Sequence, residues 1–396
     1  MVLHTKGADR EQYSPSTVTL PVVRTTFAIA VALLVSACTT SGTPVTPVTP
    51  KTPTWTTFGE LTQPRAYATA IGLASGDILV VGGLDRADSN VTNAESELVN
   101  VKTGAVSVLH QQLDGRLHQT MTRTLDRVVM AGGVRFVTTH WDPVDSVDVF
   151  LPAERKWITA APLIDPRSDH AATALLTGMV MVIGGNQGPR LLQSTEIYDV
   201  KNDRWFRASP LPLPRTELSA FTLPDGRVLV AGGFDASGAA TDTTFIYNPP
   251  ADEWTEGPRM NLPRVQHAAV QLSSGDILFI GGDGAASGTS ERYDFKLGIF
   301  VRSGTLGDPR QAARAAALPD GRVVVVGGLP PRDDEFAPLR SAEIWDPRTE
   351  QWSDLPPSPT PRAWPSIVMI GGAVYQLSGT GDAEASYRTI ERLGVD

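Results

Sequence analysis

The chain has 396 residues, a formal net charge of −9 and one cysteine, Cys38. That acidity disfavours a sequence-independent hold on nucleic acid, which needs clustered positive charge against phosphates, so no nucleic-acid partner is expected. A single cysteine excludes an intramolecular disulfide and a thiolate metal cluster, while Gly 36, Pro 31 and 19% charged residues suit a globular chain rich in tight turns.

In chain order, the first feature is an apolar run over residues 27–37, preceded by Arg24 and ending in the small residues Ser36 and Ala37. A membrane-spanning helix needs about 20 apolar residues, so the run is too short to span and reads instead as a secretory signal. Asp9 and Glu11 lie in a long stretch before Arg24. Such a stretch is unusual in a signal, and suggests that translation starts later, near Val22 or Val23. Residues 39–54 are rich in Thr and Pro and favour an extended tether. The chain thus divides into a signal over 1–37, a tether over 38–54 and a body over 55–396.

The segment Val35-Ser36-Ala37-Cys38 resembles the lipobox of bacterial lipoproteins. The resemblance implies that Cys38 is the lipidation site and acylated N-terminus of the mature chain. The expected partner is then a membrane, held through the lipid anchor, and the expected location is extracytoplasmic. Thr39 after the cysteine implies the outer membrane in two-membrane bacteria. The alternative is an ordinary signal peptide with an incidental cysteine.

The body repeats. A Gly-Gly pair closes a β-branched run at Gly82, Gly132, Gly184, Gly232, Gly281 and Gly327, at intervals of 46 to 52 residues, and a worn copy is expected at Gly379. An arginine, usually after proline, precedes each glycine: Arg65, Arg116, Arg167, Arg215, Arg264, Arg310 and Arg362. Ten residues before these arginines stand Trp55, Val106, Trp157, Trp205, Trp254, Phe300 and Trp352. Within a unit, strand and turn signals alternate. Residues 220–223 and 228–231 flank Asp225-Gly226, a pair that supplies the positive φ of a hairpin turn. A third strand at 244–247 and a fourth around Trp254 complete four antiparallel strands in about 50 residues, the period of a propeller blade.

These marks, with Ser194-Thr195-Glu196-Ile197-Tyr198-Asp199 and then Trp205, resemble the kelch-repeat family, as in the central domain of galactose oxidase. The expected fold is all-β: a seven-bladed propeller of four-stranded antiparallel blades. Trp55 carries a fourth-strand mark with no strands before it, and the C-terminal unit stops on a third strand at residues 390–393. The N-terminal strand should therefore complete the last blade and remove two open sheet edges.

Loops after the Gly-Gly pairs are longer than the other turns, so any binding site is expected on their face. The seven arginines are the first ligand-binding candidates, since a guanidinium ring around the channel suits carboxylates. In some kelch adaptors matching arginines hold acidic peptides. The alternative is structural, because an acidic residue recurs in the third strand at Glu97, Asp148, Glu196, Glu291, Glu343 and Glu391 and could pair with them. Phe136, Trp141 and Phe336 are the second candidates, either stacking on a ligand or pinning their own loops. His170 and His267 share a register, and His118 joins them if counted from its glycine. They lack converging carboxylates, and neither a metal nor a cofactor is expected. No phosphate loop, metalloprotease helix or nucleophile elbow occurs. Galactose-oxidase chemistry needs a cysteine bonded to tyrosine, which Cys38 in the signal cannot supply. The expectation is a binding module for a protein or glycan ligand without catalysis, the alternative being a sugar-acid mutarotase like that of sialic acid.

Overall fold

The computed structural model describes residues 52–85, 92–111, 113–137, 139–331 and 336–395. The expected signal, Cys38 and almost all of the expected tether lie outside them. So does the proposed start site.

Seven four-stranded antiparallel sheets form the body. Blades 1 to 7 begin with the strands Thr69–Gly72, Thr120–Thr124, Ala171–Ala174, Ser219–Thr222, Ala268–Gln271, Arg314–Ala317 and Ser366–Ile370. In blade 4, Ser219–Thr222 pairs with Val228–Ala231, which pairs with Thr244–Asn248, which pairs with Glu253–Glu256. Gly226, at φ 87°, makes the first turn, as the Asp-Gly signal requires.

The core lies between blades. Second strands are almost wholly apolar, Asp77, Arg127 and Gln376 being the exceptions, because side chains alternate between two faces and both faces are covered. Val228 and Val230 pack with Met181 and Ile183 of blade 3, while Leu229 and Ala231 pack with Ile277 and Phe279 of blade 5. The fourth-strand tryptophans tie neighbouring blades together: the Trp254 indole N–H donates to Ser209 O at 2.8 Å, and that of Trp205 to Ala161 O at 2.8 Å.

Blade 7 closes the ring as the sequence implies. The strand Thr54–Arg65 pairs with Tyr387–Gly394, Trp55 opposite Leu393, and becomes the blade's outer strand. Trp55 also donates to Pro356 O of blade 6 at 2.8 Å.

The double glycine has a steric cause. The first glycine of each pair has positive φ, and a Cβ at Gly132 would sit 2.5 Å from Arg167 O of the next blade. The N–H of the second glycine donates to that same carbonyl. These bonds run from Gly83 to Arg116, Gly133 to Arg167, Gly185 to Arg215, Gly233 to Arg264, Gly282 to Arg310 and Gly328 to Arg362, and Gly379 to Arg65 closes the circle at 3.1 Å. This corrects the reading of the last unit. Gly379 occupies the second glycine position, and Ser378, at φ 51°, holds the first.

Candidate functional site

The seven arginines are placed inside the blades, each no more than 1% exposed, and none lines the central channel. Arg167 shows why the position demands arginine. Its guanidinium donates to Gly184 O at 2.9 Å, Ser194 O at 2.9 Å and Glu196 Oε1 at 2.5 Å, while Glu196 also accepts the N–H groups of Ile164 and Asp165. Arg65 pairs with Glu97, Arg116 with Asp148, Arg264 with Glu291, Arg310 with Glu343 and Arg362 with Glu391. In blade 4 the acid is replaced by Phe245, and Arg215 lies over that ring at 4.8 Å. Burial lowers the Arg215 pKa to about 10, opposed only weakly by the charges of Asp235 and Asp242. The sequence offered a ligand-facing crown or pairing within the blade, and the geometry is that of pairing. A buried guanidinium already bonded to its blade's carboxylate and carbonyls has little left to offer a ligand.

The channel mouth is built two residues further along. Tyr67, His118, Asp169, Glu217, Gln266, Ala312 and Trp364 each follow an arginine by two positions, and all seven have φ between 48° and 56°. A left-handed non-glycine residue costs about 1–2 kcal/mol, so seven in one ring mark a conformation enforced by the scaffold. Backbone bonds between neighbours help enforce it. The N–H of Asp169 donates to His118 O at 3.4 Å, Glu217 to Asp169 O at 2.9 Å, Ala312 to Gln266 O at 2.9 Å and Trp364 to Ala312 O at 2.9 Å. Six of the seven line a channel cavity of about 630 Å³, and the buried Ala312 is the exception.

The ring is chemically lopsided. Tyr67 packs on His118 at 5.6 Å and on Trp364 at 5.5 Å, and Phe336 stacks on Trp364 at 6.3 Å, giving an aromatic side. His118 Nδ1 lies 2.7 Å from Asp169 Oδ1. Burial opposes the His118 charge, but the Asp169 bond and charge outweigh it, so its pKa is raised. Burial and the neighbouring Asp169 raise the Glu217 pKa. Inside the channel stands Arg314, which is solvent-exposed.

His170 and His267 form the channel wall. Their Nε2 atoms lie 2.9 Å from the hydroxyls of Thr120 and Ser219 on the preceding blades. Burial, then the charge of Arg167 or Arg264, lowers each pKa to about 3. His118 does not share their place: Gln119 does, so blade 2 counts from its arginine, not its glycine. Among the described residues, no three His, Cys, Asp or Glu side chains group to hold a metal ion.

Phe136 and Trp141 face each other at 5.3 Å across a hairpin of Val134–Val137 and His140–Pro143 inserted in blade 2. Trp141 also walls a side pocket of about 410 Å³, with Leu84, Leu117, Val134, Tyr67 and His118. The ring and the long loops therefore share one face. The ring forms no motif in the sequence, because its members have no residue type in common. The available signal was the contrast itself, one variable position inside a nearly fixed repeat.

Residues 166–212, 219–261 and 312–359 match the Kelch motif, three repeats within a propeller of seven blades. Among solved structures it is similar to a fungal alcohol oxidase of the AA5 family in complex with copper. The TM-score is 0.70 and the identity 18%, over 87% of this chain and 76% of that one, a likeness of fold. Among curated protein sequences none matches the chain.

Proposed function

We propose that the protein is a lipid-anchored, extracytoplasmic binding module that engages a protein or glycan ligand at the channel mouth of its long-loop face. The observation that carries the reading is the ring of seven left-handed residues. One backbone presents six different accessible side chains around a cavity of ligand size. The aromatic arc of Tyr67, Trp364 and Phe336 supports stacking on a sugar face or an apolar side chain. Propellers of kelch repeats commonly serve as interaction modules, which agrees with this use of the face.

The full-length protein on glycan and peptide arrays tests the reading. Binding should fall at least tenfold in Tyr67→Ala and Trp364→Ala, and ligands held equally well by both variants would remove the mouth from the proposal. The anchor is tested separately. Metabolic labelling with an alkyne fatty acid should mark the wild type and not Cys38→Ala, and equal membrane recovery of both would end that part.

One observation favours a second reading, a sugar-acid isomerase. His118 bonded to Asp169, beside Glu217, puts a proton donor and an acceptor in one cleft. Mutarotation lost in a folded His118→Gln variant would support it.

A further inference from the structure

Blade 6 departs from the other six in two linked ways. Its ring residue is Ala312, the smallest of the seven and fully buried. Two residues later, where the other blades carry Thr69, Thr120, Ala171, Ser219, Ala268 and Ser366, it carries Arg314. The polar group that other blades hold at the mouth is, in blade 6, moved down onto the channel wall.

Arg314 has little to do there for the fold. Its one hydrogen bond among the described residues runs from Nη1 to Ala313 O at 3.0 Å, and no carboxylate among them lies within ion-pair distance. The guanidinium therefore keeps most of its five N–H donors for the cavity. The side chain is solvent-exposed, so its guanidinium is open to the cavity, and Glu217 lines the same space. This is unlike the seven buried arginines, each bonded within its blade.

We propose that Arg314 is the anchor of a carboxylate subsite: the ligand of the mouth is, or bears, a small organic acid. Its carboxylate reaches past the ring to Arg314, and its body packs against Tyr67 and Trp364. A planar guanidinium accepts a carboxylate through two parallel bonds. Asp169 and Glu217 line the same cavity, which favours a monoanion over a doubly charged phosphate. The inference rests on the mouth reading and adds to it the charge and depth of the ligand.

The test is site-resolved phenylglyoxal modification of the full-length protein, read by peptide mass spectrometry, in the presence of matched probes. These are D-glucuronate, D-glucose and glucose 6-phosphate, and benzoate with benzyl alcohol. Arg314 should react readily. The acid of at least one set should slow that reaction fivefold or more, with its neutral and phosphorylated partners ineffective and the exposed Arg348 unaffected. An unreactive Arg314, no protection by either acid, or equal protection by neutral or phosphate probes would overturn the proposal. Arg314→Ser separates it from the mouth reading, and the serine already serves this position in blades 4 and 7. Array ligands lost in Tyr67→Ala yet kept at full strength in Arg314→Ser would leave the mouth standing and remove the subsite.

Discussion

Two layers of this molecule lie two residues apart in every blade and differ in almost every respect. The arginine layer has one residue type seven times over, buried and bonded to its own blade. The ring above it has seven residue types on one backbone conformation, six of them lining the cavity. Uniformity marks what the scaffold needs, and variety marks what the scaffold is free to use. A repeat protein carries this control within a single chain, because blades that share a fold differ only where the fold does not constrain them.

The sharpest way to break the comparison is to open the scaffold. Removing residues 55–59 takes away most of the pairing with Tyr387–Gly394 and exposes sheet edges on the last blade. Cooperative thermal unfolding should be lost or moved far below that of the intact chain, and an unchanged transition would refute the closure. Next comes the arginine layer itself. Arg167→Ala leaves the buried Glu196 without its guanidinium partner, and should cost about 3–5 kcal/mol in urea unfolding. Glu217→Ala in the ring should stay within about 1 kcal/mol of the wild type. Similar losses in both would erase the distinction between the layers.

The histidines give a pH-dependent version of the same contrast. His170 and His267 are held neutral, with pKa values lowered from 6.5 to about 3 by burial and then by the neighbouring arginine. Their contribution to stability is whole above pH 6.5 and is lost as pH falls toward 3, because the unfolded chain takes up protons that the folded chain refuses. The slope is up to about 1.4 kcal/mol per pH unit for each histidine. His170→Gln, which copies Gln119 of blade 2, should flatten the acid limb by one histidine's share in urea titrations at stepped pH. An acid limb as steep as before would show that the wall histidine is not the group involved. The smallest effect is expected at the ring. In Gln266→Gly the relief of left-handed strain offsets the glycine's greater freedom when unfolded, and stability should move by less than about 1 kcal/mol.

The fold was legible because its marks are steric and repeat. Each double glycine answers a carbonyl of the next blade, each tryptophan reaches a neighbouring blade, and Trp55 without its preceding strands announced the closure. The site was less legible for the opposite reason. Tyr67, His118, Asp169, Glu217, Gln266, Ala312 and Trp364 share a torsion angle, and a torsion angle has no letter in a sequence. The arginines drew attention because arginine is usually exposed, and only coordinates reveal that Glu196 and its counterparts enclose them. Counting glycines failed where a serine could adopt the same backbone, at Ser378, and where blade 2 shortens its first hairpin before Gly132.

The closing sheet also has a kinetic meaning. Within blades 1 to 6 every strand meets partners from its own stretch of about 50 residues, so these sheets can assemble from nearby hairpins. Thr56 and Arg392 touch across 336 positions of sequence. Closing a loop of that length costs more entropy than closing a hairpin within a blade, so it is expected to follow the local sheets. Until it happens the molecule is an open arc with two unpaired borders, so the last contact made is the one that turns six finished sheets into a circle.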